Sequence, residues 1–228
     1  MPAVATAGGL PTRLGKYEIL TPLGFRFTNY GVAPEDVPLI GLSYITGLPP
    51  GPALSALLTR ALGVPVPEIV KRSNDPRFLA GVIPSANVVT TANELSRFFE
   101  LGRQGGTLDG VRIFDPATLE RALEEQSHLE VDFSLGFPTR FSYGFMLGAK
   151  LLSLFGPNTE SAFGHLGFVN ILGWADPDRG LSCGLITSGK PIVYPELVSF
   201  FDIGRRIGLE APRRAQSEAM VRSGSAPR

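Results

Sequence analysis

Cysteine, histidine and net charge are all scarce in this sequence of 228 residues. A single cysteine, Cys183, excludes an internal disulfide and leaves the redox compartment open. The two histidines, His128 and His165, form no His/Cys cluster of the kind that binds zinc, so we expect no metal and no other cofactor. Lysine and arginine total 21 and balance 21 acidic residues, so no basic field favours nucleic acid or an anionic membrane as a partner.

A membrane span and a signal peptide are not evident either. No apolar run reaches the length of about 20 residues that a transmembrane helix needs. Residues 1–11 lack the basic start and the long apolar core of a signal peptide. We therefore expect a cytoplasmic protein, on the condition that Met1 is the natural start of the chain.

The composition is that of a folded domain. Hydrophobic residues make up 43% of the chain and charged residues 18%, which is enough to bury a sizeable core. We predict a loose leader over residues 1–15, one folded domain over residues 16–210 and a disordered, arginine-rich tail over residues 211–228.

Strand patterns dominate the last third of the chain. Two apolar runs between residues 160 and 174, a Pro/Asp/Gly turn at residues 176–180 and a third run at residues 181–187 predict adjacent antiparallel strands. A helix over residues 194–207 is expected to pack on that sheet. His165-Leu166-Gly167 lies in the first run, where the glycine lets a ligand approach the backbone closely.

Helix signals mark the middle of the chain. Thr91 and Glu94 fit a capping box, and Gly105-Gly106 should end the helix that follows. Asp115-Pro116 predicts the start of another helix, and residues 53–62 predict a short one. We interpret residues 127–139 as a loop and residues 141–147 as a strand.

Three segments together resemble the serine β-lactamase and penicillin-binding-protein superfamily, in particular its class C-like branch, which includes many esterases. They are the Pro-Leu-Gly turn at residues 21–28, the Thr-Thr-Ala helix start within residues 84–98, and His165-Leu166-Gly167, which is similar to the family's Lys-Thr-Gly or His-x-Gly motif. The resemblance implies an α/β (α+β) fold, an antiparallel sheet flanked by helices, with its N-terminal part missing. It also implies small ester, amide or β-lactam substrates.

The resemblance assigns roles to three residues. His165 and Gly167 would lie across the cleft from a nucleophile, and the Phe168 N–H would be one of two oxyanion donors. The family's Ser-x-x-Lys and Tyr-x-Asn motifs are absent from the sequence. Both precede the Pro-Leu-Gly turn in the family, so we expect the chain to be a C-terminal portion that is inactive as given. The alternative is a non-catalytic remnant that acts as a binding or interaction module.

Four other features have simpler interpretations. Ser85-Ala86-Asn87 resembles a Ser-x-Asn motif, but a turn before the capped helix is favoured. Residues 180–184 match Gly-x-Ser-x-Gly around Ser182, yet both histidines precede that serine and a strand follows it, so Ser182 is expected to face a packed helix. His128 is expected at the surface and Trp174 in the core.

Overall fold

The computed structural model describes residues 12–83, 86–132, 137–168, 171–191, 196–211 and 213. Its helices are a π-helix at Thr12–Leu20, a 3₁₀ helix at Pro34–Leu39, and α1 Pro52–Leu62, α2 Val66–Ser73, α3 Pro76–Ala80, α4 Ala92–Arg103, α5 Pro116–Ala122 and α6 Glu196–Glu210. Its strands are β1 Asn29–Tyr30, β2 Tyr44–Thr46, β3 Val88–Val89, β4 Thr107–Leu108, β5 Val111–Arg112, β6 Ser127–Asp132, β7 Phe137–Phe141, β8 Met146–Leu147, β9 Phe163–Gly167, β10 Ile171–Asp176, β11 Leu181–Ile186 and β12 Gly189–Pro191.

Six strands form the central sheet, in the order β11-β10-β9-β8-β7-β6. Every neighbouring pair in it is antiparallel, and Gly173 of β10 lies opposite His165 of β9. The strands predicted between residues 160 and 187 are therefore confirmed as β9, β10 and β11. The apolar runs and the turn after Asp176 indicate this pairing locally.

Helices cover both faces of the sheet. On one face, Leu95 and Phe99 of α4 pack against Phe163 and Ala175. The close approach of α4 depends on small residues, because a Cβ on Gly184 would lie 2.5 Å from the carbonyl oxygen of Ala92. The helix lies this near because β11 offers no side chain there.

The other face buries the largest side chains of the described residues. Leu172 and Trp174 of β10 form a cluster with Phe155, and Ile207 of α6 packs against it. Trp174 and Phe155 are stacked, with ring centroids 6.2 Å apart. Trp174 is thus a core residue as predicted, and the predicted α+β arrangement of an antiparallel sheet between helices is confirmed.

The π-helix begins inside the span that we predicted as a loose leader. A hydrogen bond from residue i to residue i−5 closes its C-terminal end, from the Thr21 N–H to the Lys16 carbonyl at 2.8 Å. Leu20 and Phe25 are buried with Leu101 of α4, which fastens this end of the chain to the domain. The domain limits at residues 16 and 210 remain a prediction.

A small unit between residues 42 and 74 sits at one end of the fold. Its strand β2 pairs in parallel with β12, and Asn74 holds Ser43 by two hydrogen bonds of 2.8 and 2.7 Å. The helix predicted at residues 53–62 is confirmed as α1. Within the described residues, no helix combines the length and the apolar character that a bilayer crossing requires.

Two local predictions were wrong. The segment expected to be a loop over residues 127–139 contains β6 and most of β7. These strands form because they pair with each other, and the sequence of the segment alone does not show that pairing. The strand expected over residues 141–147 is broken by a turn, in which the Ser142 N–H donates to the Phe145 carbonyl at 2.9 Å. Tyr143 is therefore exposed at the tip of this turn.

Candidate functional site

His165 projects from β9 on the face that α4 covers, and its side chain is exposed. Its Nδ1 lies 2.7 Å from the carbonyl oxygen of Leu166. Because a carbonyl can only accept, Nδ1 carries the proton, and Nε2 of the neutral ring carries the lone pair. The local backbone thus prepares Nε2 to accept a proton or a hydrogen bond.

The two other predicted site residues follow directly on the same strand. Gly167 ends β9, and a Cβ there would lie 3.0 Å from the Cβ of Ile171 on β10. Phe168 is half-buried in the turn after the strand. The structure therefore brings His165, Gly167 and Phe168 together at one strand end. Their catalytic roles remain predictions.

A cavity of about 210 Å³ lies between α4 and the N-terminal part of the described chain. Leu95 and Phe99 of α4 line it, and both lie over Gly173, the cross-strand partner of His165. Its remaining walls come from the π-helix and from β1 and β3, with Ile19 and Tyr30 among the lining residues. The lining is mostly apolar, which suits an acyl group more than a charged one.

The carboxylate of Glu94 is the main hydrogen-bond acceptor on the polar side of this cavity. Its oxygens accept hydrogen bonds from the Arg26 N–H at 2.7 Å, from the Phe27 N–H at 3.1 Å and from the Thr28 hydroxyl at 2.5 Å. Desolvation is the largest single influence and raises the pKa of Glu94. The hydrogen bonds from Thr28, Arg26 and Phe27 outweigh it, so the pKa is lowered from its usual value of 4.5.

The capping box predicted at Thr91 is half right. The Thr91 hydroxyl accepts the N–H of Glu94 at 3.2 Å, which caps α4 as expected. The predicted reciprocal hydrogen bond, from the Thr91 N–H to the Glu94 carboxylate, was wrong. That carboxylate accepts from Arg26, Phe27 and Thr28 instead. The sequence did not predict that Glu94 binds residues 26–28. The one sequence feature that pointed to it was an acidic residue at the start of a helix that resembles the family's Thr-Thr-Ala segment.

Asn87 has a structural role in a turn. Its side chain is buried, with Nδ2 donating to the carbonyls of Phe78 and Gly81 and Oδ1 accepting from the Ile83 N–H. All of these partners belong to the backbone, which agrees with the turn that we favoured over a Ser-x-Asn motif. Ser85 of that motif lies outside the described residues.

Ser182 and Cys183 point to opposite faces of β11. The Ser182 hydroxyl bonds to Glu100 of α4, and β11 continues as a strand to Ile186, so a hydrolase elbow is excluded here and the packed helix is confirmed. Cys183 packs against the cluster on the other face, and burial raises the pKa of its thiol to about 11. An uncharged thiol of this kind is a poor nucleophile.

His128 lies at the surface as expected, away from the cavity. Its Nδ1 is 2.6 Å from a carboxylate oxygen of Glu125, which also pairs with Arg140. Among the described residues, no group of three or more His, Cys, Asp or Glu side chains is arranged to hold a metal ion.

Comparisons with known proteins point to one family. The family model described as Beta-lactamase matches residues 10–196 of the chain. Among curated proteins, the chain is 28% identical over 142 residues to the esterase/beta-lactamase LipL of Mycobacterium tuberculosis (strain ATCC 25618 / H37Rv), and the match covers 61% of this chain and 30% of LipL.

Solved structures share the fold. A penicillin-binding protein homolog from Caulobacter crescentus superposes with a TM-score of 0.64 and 28% identity over 84% of this chain and 50% of that one. A family VIII carboxylesterase superposes with a TM-score of 0.67 and 23% identity over 83% of this chain and 50% of that one. The chain thus spans between 30% and 50% of the length of these relatives.

Proposed function

Because the chain belongs to the beta-lactamase family, we propose that it forms the histidine-bearing side of a serine hydrolase site of esterase, β-lactamase or D-Ala-D-Ala peptidase type. The observation that carries this proposal is the position of His165. Its exposed imidazole, with Nδ1 bonded to its own strand, stands two residues before Gly167 on β9.

The proposed chemistry is acyl transfer through a covalent acyl-enzyme. A serine hydroxyl would give its proton to the lysine of its own Ser-x-x-Lys motif and attack the carbonyl carbon of a small ester, amide or β-lactam, and the carbonyl oxygen would become an oxyanion. Collapse of this intermediate would break the bond to the alcohol or amine, which would leave with that proton, and water would then release the acid and restore the serine. The Phe168 N–H would donate to that oxyanion, and Gly167 would keep the approach open. Nε2 of His165 would hydrogen-bond to the polar groups around the reacting centre.

The nucleophile itself is proposed to come from outside these 228 residues. No serine in the sequence is followed three residues later by lysine, and no tyrosine is followed two residues later by asparagine. Support comes from β11, which no other strand of the described residues pairs on its outer side. The backbone N–H and C=O groups on that side could accept a strand from the part that carries the serine.

Covalent labelling tests the proposal. A fluorophosphonate or a fluorescent penicillin should not label the 228-residue chain, and ester hydrolysis should stay at background, because nucleophile and half of the oxyanion hole are missing. A chain extended by an upstream, in-frame Ser-x-x-Lys should label at that serine. His165→Ala should slow this labelling, whereas His128→Ala, which changes the exposed histidine of β6 that pairs with Glu125, should not.

Stoichiometric labelling of the 228-residue chain would refute the missing nucleophile. Ser85 and Ser182 would then be the first residues to replace. Labelling of the extended chain that is equally fast with His165→Ala would refute the role given to His165.

The second candidate is a binding module without turnover. It is favoured by the cavity, which described residues of this chain line, among them Leu95 and Phe99. Such a module would bind a short-chain carboxylic acid in calorimetry, and a larger side chain in the cavity, as in Leu95→Trp, would abolish the binding heat. Background hydrolysis by the extended chain together with such binding would favour this candidate.

A further inference from the structure

The imidazole of His165 has an aromatic neighbour, the ring of Phe141 on β7. The centroids of the two rings lie 6.4 Å apart, and the ring planes are tilted by 60°. Aromatic pairs favour tilted arrangements at this separation. The two residues lie on different strands, so this contact exists only because β7, β8 and β9 are neighbours in the central sheet.

Phe141 is held in place by the sheet and by the core. Its backbone pairs with Ser127 of β6 and with Met146 of β8, and its carbonyl accepts the Gln126 N–H at 2.7 Å. Its half-buried ring packs against the core cluster that contains Trp174. The ring that meets the imidazole is therefore fixed by the fold.

The imidazole needs such a support because the His165 side chain is exposed. An exposed side chain changes rotamer within picoseconds to nanoseconds unless its contacts restrain it. The hydrogen bond between Nδ1 and the Leu166 carbonyl, at 2.7 Å, restrains one edge of the ring. The Phe141 ring adds a second restraint, on the plane of the imidazole. Together the two contacts define the direction in which Nε2 points.

We propose that Phe141 is a positioning residue for His165. It holds the imidazole against the Leu166 carbonyl and thereby keeps both the tautomer and the direction of Nε2. The consequence for catalysis rests on the proposed function, in which Nε2 hydrogen-bonds to groups around the reacting centre. Displacement of such a group by about 1 Å can slow a reaction by about a hundredfold.

Nitrogen-15 NMR of the 228-residue chain tests the positioning role without any catalysis. In the wild type, Nδ1 of His165 should be protonated and Nε2 unprotonated. Phe141→Leu keeps an apolar side chain but removes the ring. It should make the two ¹⁵N shifts of His165 converge, because the two tautomers then exchange. Phe141→Tyr keeps the ring and should keep the two shifts as far apart as in the wild type.

The matched control is Phe155→Leu. Phe155 belongs to the core cluster against which Phe141 packs, but its ring stacks on Trp174. Since Phe155 is 1% exposed, Phe155→Leu should cost at least as much stability as Phe141→Leu. It should nevertheless leave the ¹⁵N shifts of His165 unchanged, which separates positioning from a general loosening of the core.

The extended chain that carries Ser-x-x-Lys gives a kinetic readout. Phe141→Leu should lower the maximal rate of fluorophosphonate labelling by roughly ten- to a hundredfold, because Nε2 loses its fixed direction. The reagent concentration for half-maximal labelling should stay unchanged, since Phe141 acts through His165 and not on the reagent. Phe141→Tyr should label at the wild-type rate.

Three results would overturn the inference. The ¹⁵N shifts of His165 could stay apart in Phe141→Leu, or they could converge equally in Phe155→Leu. In the extended chain, slow labelling of His165→Ala together with wild-type labelling of Phe141→Leu would refute the positioning role alone. Equally fast labelling of His165→Ala would instead refute the proposed function, and the ¹⁵N shifts would still decide whether Phe141 positions His165.

Discussion

The hydroxyl of Thr28 donates a 2.5 Å hydrogen bond to the carboxylate of Glu94, which lies 66 residues further along the chain. Thr28 closes the Pro-Leu-Gly segment, and Glu94 stands in the first turn of α4. A single buried acid therefore joins two segments that the family resemblance had singled out separately. Both residues line the cavity beside α4, so this bond also sets one wall of that cavity.

Replacing Glu94 by glutamine should lower the free energy of unfolding by about 1.5–3 kcal/mol, the usual cost of losing hydrogen bonds to a buried charged group. The amide presents only one acceptor oxygen to the three donors of residues 26–28. Urea unfolding measures the change. Glu120→Gln on the exposed side of α5 is the control and should stay within about 0.5 kcal/mol of wild type.

The same variant tests the pH dependence of stability. Since the pKa of Glu94 is lowered from 4.5 on folding, the unfolded chain binds the proton more readily. Stability from this residue is present above pH 4.5 and is lost as the pH falls below it. Below pH 4.5, the free energy of unfolding of the wild type should fall more steeply than that of Glu94→Gln. Parallel plots of this free energy against pH would show that the pKa of Glu94 is not lowered on folding.

Arg179→Ala should be the most damaging of the substitutions considered for the folded chain. Arg179 pairs with Asp176 at 2.6 Å, both side chains are buried, and its Nε donates to the Gly208 carbonyl at 2.8 Å. Removing one partner leaves a buried charge unpaired, which costs about 3–5 kcal/mol. The measurement is chemical denaturation monitored by Trp174 fluorescence.

The control for this pair is an exposed one. Arg206 also pairs with an aspartate, Asp202, but its side chain is 72% exposed. Arg206→Ala should change stability by no more than about 1 kcal/mol. Equal losses in the two variants would show that burial does not decide the strength of the Arg179 pair.

Gly184→Ala should loosen the packing of α4 on the sheet. The new Cβ would lie 2.5 Å from the Ala92 carbonyl oxygen, and this backbone atom cannot turn away as a side chain could. We expect a loss of about 1–3 kcal/mol in the free energy of unfolding. Gly144→Ala is the control, because nothing lies within 4 Å of its added Cβ, and a thermal melt of both variants decides the question.

His165 should populate the tautomer that is protonated at Nδ1. The cause is the 2.7 Å hydrogen bond to the Leu166 carbonyl, which can only accept. A two-bond ¹H–¹⁵N correlation spectrum at neutral pH should show a protonated Nδ1 and an unprotonated Nε2. His128→Gln identifies the signals, and the urea-unfolded chain supplies the reference. A protonated Nε2 in the folded chain would remove the basis for its proposed role.

The sequence by itself determined the elements whose signals lie within a few residues. Apolar runs and the turn after Asp176 specify β9 to β11, and the Thr91 hydroxyl specifies the start of α4. The positions of His165, Gly167 and Phe168 also followed from sequence, through the family resemblance of a short motif.

Only the tertiary structure decided which distant groups meet. The Glu94 carboxylate accepts hydrogen bonds from residues 26–28 and not the one that the capping box predicts. The β6 strand forms in a stretch without a strand pattern because it pairs with β7. The cavity likewise takes its walls from the π-helix, β1, β3 and α4. The physical reason is that hydrogen bonds and packing across the fold depend on spatial neighbours, which local propensity does not encode.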